Sequence, residues 1–132
     1  MKKSVVVLLC LLLYTFYSFP TASASEIMPH ADSVFSIATI SLSTRKDVTF
    51  IGRTKTEKAS ISISSCWLEQ KSGDKWVYVC ALTPPDYIGT NTQYYSALTD
   101  YSEKISTGTY RIGATFCADD HAISRYSNER SF

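Results

Sequence analysis

The chain is poor in the residues from which most enzymes and nucleic-acid-binding proteins are built. It has two histidines, His30 and His121, in 132 residues, too few for a His-based metal centre. Glycine (5) and proline (4) are sparse and no low-complexity run occurs, which argues against a collagen-like, linker or disordered protein. Neither charge sign dominates: 13 Lys and Arg stand against 12 Asp and Glu, a formal +1. The clustered basic excess needed to bind phosphate is therefore missing, and a nucleic-acid partner is not expected. No Gly-rich phosphate loop, Ser-His-Asp order or paired histidines at helical spacing appear. Nor does any segment carry helix-spaced apolar residues over about 11 positions with a cap, so parallel βαβ folds lack their helices. What is present is 45% apolar and 13% aromatic, enough for one folded domain.

The one long hydrophobic run lies at the start. Lys2 and Lys3 precede Val5 to Tyr17, and Pro20 with Thr21-Ala22-Ser23-Ala24-Ser25 follows. This is the pattern of a secretory signal with an Ala-x-Ala cleavage site. The run is shorter than the roughly 20 residues that cross a bilayer, so stable membrane insertion is not expected. Cys10 reads as one more apolar residue of this leader (residues 1–24). Cleavage after Ala24 removes two lysines and no acidic residue, leaving a formal charge of −1. A domain of about 110 residues buries only around 60–65% of its unfolded surface, so a cross-link would help it.

Residues 25–33, with Pro29 and no periodicity, read as a flexible segment, and 34–132 as the folded domain. Val34 to Ser43 and Asp47 to Thr54 are rich in β-branched and aromatic residues, with the polar bend Thr44-Arg45-Lys46 between them. Ala59 to Gln70 alternates, so Ile61, Ile63, Ser65 and Trp67 are expected inward and Ser60, Ser62, Ser64 and Cys66 outward. Turn residues around Gly73 lead to a return strand, Trp76 to Leu82. Thr83 to Thr92, with Pro84 and Pro85, is the long loop. Gln93 to Ile105, Thr109 to Ala118 and Ile123 to Phe132 complete seven strands. Short turns and no helices point to an all-β, seven-stranded antiparallel β-sandwich.

Ser106-Thr107-Gly108-Thr109-Tyr110-Arg111-Ile112-Gly113-Ala114 resembles the Gly-x-Tyr-Arg-Val-x-Ala signature of an uncharacterised family of small secreted proteins from Gram-positive bacteria. Leu68-Glu69-Gln70, Gly73 and Trp76 are similar to that family's Leu-Gln, turn Gly and Trp hairpin, with Glu69 in the place of the Gln. The likeness runs from about Ser41 to Phe132. It implies an immunoglobulin or fibronectin type III arrangement and a secreted context, and carries over no catalytic residue. Tyr110 then stands where a tyrosine corner pins a crossing connection. Ile112, Ala114 and Phe116 share its inner face, sending Arg111, Gly113, Thr115 and Cys117 outward.

By the same sandwich analogy the third strand lies between the fourth and the sixth. A three-residue turn centred on Gly73 would set Cys66 opposite Cys80, and a disulfide there would contribute about 2–4 kcal/mol. Cys66 with Cys117 is the rival pairing. Either leaves an odd thiol, free or available for a disulfide-linked dimer.

Cys117-Ala118-Asp119-Asp120-His121 sets a thiol and an imidazole beside two carboxylates, which reads either as a polar turn or as a catalytic or metal cluster. Tyr87, Tyr94, Tyr95 and Tyr101 are the stronger binding candidates, because exposed tyrosines serve recognition and loops carry it on rigid β-frameworks. The competing reading makes Tyr95, Tyr101 and Trp76 half-buried strand aromatics. The charged stretch Arg53 to Lys58 reads as a solvated strand end and turn. The expectation is a secreted, non-enzymatic binding module for an extracellular protein or carbohydrate, without cofactor or metal. A structural envelope or matrix component is the alternative, and a small hydrolase using Cys117 or His121 a third.

Overall fold

A computed structural model describes Asp32–Phe132. The expected leader, Cys10, His30 and all but the last two residues of 25–33 lie outside the described residues. The elements are β1 (Phe35–Leu42), β2 (Asp47–Ser72), β3 (Lys75–Leu82), β4 (Gly89–Asp100), β5 (Thr109–Ala118), β6 (His121–Tyr126) and β7 (Arg130–Ser131). All pair antiparallel in a single sheet curled into a half-barrel. Among the described residues no helix is long and apolar enough to cross a membrane.

The 26-residue β2 organises everything else. Its first part, residues 47–54, pairs with β1 on one side and β4 on the other. Its second part, residues 61–72, lies between β3 and β5, and β5 carries β6 and β7. The inner faces of the two parts meet in one core, where Val48, Phe50, Ile61, Leu68, Ile112 and Phe116 are fully buried. Phe35 of β1 meets Phe116 of β5 edge to face at 6.0 Å. Asn128 and Arg130 hydrogen-bond Leu42 across the seam.

Strand number agrees with expectation, but the division of the chain does not. The expected second and third strands are one, because residues 54–57 form a wide irregularity rather than a turn. Thr54, buried, keeps it satisfied by donating its hydroxyl to the Thr56 carbonyl at 2.7 Å. The last expected strand is instead two, β6 and β7, and β4 ends at Asp100 rather than Ile105. The order around residues 61–72 is as expected, with β3 and β5 as neighbours. So are the faces of β5, where Tyr110, Ile112, Ala114 and Phe116 are buried.

The faces of Ala59 to Gln70 require correction. Ser64 is an extra residue in the β2–β5 ladder, between the pairs Ile63↔Phe116 and Ser65↔Thr115. A bulge of one residue exchanges the faces of everything beyond it. Cys66 and Leu68 therefore join Ile61 and Ile63 inside, and Trp67 turns outward over Gly113. Any β-carbon at Gly113 would fall within the Trp67 indole, so only glycine leaves room for the ring.

The hairpin also differs from the expected register. Ser72 pairs with Lys75 around a two-residue turn in which Gly73 has φ +62°, and a bulge at Val79 sets Cys80 opposite Leu68. Cys66 faces Leu82 and Ala114, so neither expected cysteine partner lies across from it. Cys66, Cys80 and Cys117 are all free thiols.

Candidate functional site

Alternation across β1, the first part of β2 and β4 sends one set of side chains to the core and its neighbours outward. Inside are Ile40, Leu42, Val48, Phe50 and Tyr95. Outside, Ile37, Ile51, Tyr94 and Leu98 form an unusually apolar exposed set. Arg53 pairs with Tyr94 across the strands, and its guanidinium sits 5.3 Å from the Tyr94 ring centre. Ile37, Ile51, Arg53, Tyr94 and Ser96, closed by Thr92 and Tyr87, line a groove of about 600 Å³.

Tyr87 stands on that groove's rim. It belongs to the loop at residues 83–88, yet its ring lies against Tyr95 with centres 5.5 Å apart. The buried Tyr95 donates its hydroxyl to the Tyr87 carbonyl at 3.1 Å. Burial, helped by the neighbouring Tyr87, pushes the Tyr95 phenol up to about 12, so it stays a neutral donor. At the other end of the loop, Tyr101 donates to the Thr83 carbonyl at 2.6 Å and lies 3.2 Å from the Cys66 sulfur. Two core tyrosines thus hold the Pro-Pro loop at both ends and leave Tyr87 54% exposed.

Three of the four expected tyrosines, Tyr87, Tyr94 and Tyr95, therefore converge on one groove, with Tyr95 beneath it. Tyr101 lies apart, buried under the loop. Adjacent strand residues point to opposite faces, so the sequence already implied that Tyr94 and Tyr95 could not both be exposed. Sequence reasoning missed Ile37, Ile51 and Arg53. The signal for Ile51 and Arg53 was available in the alternation of Asp47 to Thr54, which puts both on one face.

The second half of the sheet carries a different cluster. Arg111 gives Glu69 two hydrogen bonds, at 3.2 and 3.3 Å, with its guanidinium 4.4 Å from the Trp76 ring centre and 3.9 Å from that of Tyr126. Trp67 donates its indole N–H to the same carboxylate and meets Tyr126 edge to face. Gly108, at φ +138°, packs against Gln70, and Tyr110 hydrogen-bonds Ser106 and the Thr107 carbonyl. Gly108, Tyr110, Arg111, Glu69 and Trp76 of the resemblance motif are all engaged in holding strands together.

The turn after β5 separates its reactive groups. Ala118 pairs with His121 on the core side, whereas Cys117 pairs with Ala122 and faces the other way. Asp119, at φ +51°, accepts the Ser60 amide and so ties the turn to β2. His121 lies 3.0 Å from both Asp32 oxygens and against Phe35. Burial raises the Asp32 pKa, but bonds from the Phe35 and Val34 amides and from His121 outweigh it and hold the carboxyl at about 2.

The site is thus an aromatic groove on an all-β antiparallel framework. No family model, curated protein or solved structure matches the chain.

Proposed function

We propose that the protein is a secreted, non-enzymatic binding module that takes an extracellular protein or carbohydrate in the Tyr87–Tyr94 groove. The observation that carries this reading is the mounting of Tyr87: an exposed ring on an exposed loop, backed by a buried ring and tied through its own carbonyl. A side chain fixed before it meets a ligand loses little freedom on binding. Export rests on the leader pattern. A non-catalytic role is supported by Cys117 and His121 pointing to opposite faces of the sheet. An immunoglobulin or fibronectin type III-like sandwich remains our reading of the finer fold, supported by residues 61–72 lying between β3 and β5 and by the Tyr110 hydroxyl bonds.

Glycan and protein arrays probed with the purified protein test the function. Tyr87→Ala is expected to abolish the array signal while leaving the melting temperature nearly unchanged; a signal that survives the substitution removes the groove from the function. A second reading, an envelope or matrix component joined through thiols, is favoured by the half-buried free thiols Cys80 and Cys117. Non-reducing electrophoresis of secreted material decides it, since monomer alone under oxidising conditions rejects it.

A further inference from the structure

Resting on that reading, we infer that the ligand of the Tyr87–Tyr94 groove is a saccharide bearing a carboxylate. Of the residues lining the groove, Arg53 alone is charged. Among the described residues the ion pairs are Lys71 with Glu129, Arg111 with Glu69 and His121 with Asp32, and Arg53 belongs to none. Its guanidinium is exposed and held over Tyr94, so its planar fork is positioned for a carboxylate that the fold does not supply.

The rest of the lining decides what carries that carboxylate. Arg53, Tyr94, Ile51 and Ser96 stand on a sheet face, as the pairs Arg53↔Tyr94 and Ile51↔Ser96 show. The main chain of Ile51 and Arg53 lies between β1 and β4, so a ligand resting on this face finds no main-chain partners there, and an extended peptide would instead add along the open outer edge of β4. A sugar ring needs no such partners. It offers an apolar face to the outer side of Tyr87 and hydroxyls to Ser96 and the two tyrosine hydroxyls. The volume, about 600 Å³, falls in the small-ligand range.

Calorimetric titration of the purified protein with tetragalacturonate, its full methyl ester and tetraglutamate tests the inference. The ester keeps the sugar rings and removes the charge. Tetragalacturonate is expected to bind, and the ester about 10- to 100-fold more weakly, the range for loss of a charge-assisted hydrogen bond. Arg53→Gln, a surface change, should weaken the acid by the same factor and leave the ester unaffected, with Arg53→Lys intermediate. Tyr87→Ala should weaken both. Equal affinity for acid and ester, with Tyr87→Ala still weakening both, overturns the carboxylate and leaves the groove intact. Arg53-dependent binding of tetraglutamate with neither saccharide bound overturns the saccharide class. Binding indifferent to Tyr87→Ala, or no binding to any of the three, overturns this inference; array signals that survive Tyr87→Ala would overturn the groove reading as well.

Discussion

Two aromatic and guanidinium clusters stand on the two halves of the curled sheet, and they differ in how completely the protein itself satisfies them. Around Arg111, Trp76 and Tyr126 lie on the guanidinium, Glu69 accepts two of its hydrogen bonds, and Trp67 fills the space above Gly113. Around Arg53 there is one ring, no carboxylate among the described residues, and the exposed side chains of Ile37, Ile51, Tyr87 and Tyr94. The same residue types thus serve as cement in one place and as open contacts in the other. What separates them is what lies opposite: a complete set of partners, or solvent.

Substitutions should break the first cluster in stability and the second only in binding. Gly113→Val has the largest expected effect, because the valine occupies the space of the Trp67 ring. Urea unfolding should show a loss of about 2–3 kcal/mol; a loss under about 0.5 kcal/mol would mean the indole moves aside freely. Glu69→Ala comes next. It leaves the partly buried Arg111 without its acceptor, an effect of about 1–2 kcal/mol after allowing for the solvent that still reaches the guanidinium.

Acid should act at the contact between Asp32 and His121 of β6 without touching the groove, none of whose lining residues is a carboxylate. Asp32 is held below its ordinary 3.8, at about 2. A depressed folded-state pKa contributes stability that is fully present above 3.8 and is lost as pH falls from there toward about 2. The melting temperature should drop across that window more steeply for the native protein than for Asp32→Asn. Smallest of all, Arg53→Gln and Tyr94→Ala should shift stability by less than about 0.5 kcal/mol. A larger loss would place the groove in the architecture and erase the contrast.

How far the sequence reveals this depends on local regularity. β5 was legible to the residue, because Thr109 to Ala118 alternates without interruption between a glycine turn and an acidic turn. Tyr110 was legible for the same reason. Residues 61–72 were misread past Ser64, since an extra serine among Ser62, Ser64 and Ser65 changes nothing in the pattern yet exchanges the two faces. Arg53 to Lys58 has the composition of a turn, yet the strand runs through it as an irregularity in which the buried Thr54 gives its hydroxyl to the Thr56 carbonyl. The groove was half legible: tyrosine abundance pointed to it, but Ile37, Ile51 and Arg53 come together only once β1, β2 and β4 are paired.

The length of β2 bears on how the domain comes into being. Four of the six strand pairings include it, and its residues 47–54 await β4, more than forty positions downstream, before both their edges are filled. No early-made hairpin is self-sufficient, so folding is expected to be slow for the chain's size and to proceed as one cooperative event. A single proteolytic cut within residues 55–57 would divide β2 itself, and because its two parts share one core they would come apart together rather than one at a time.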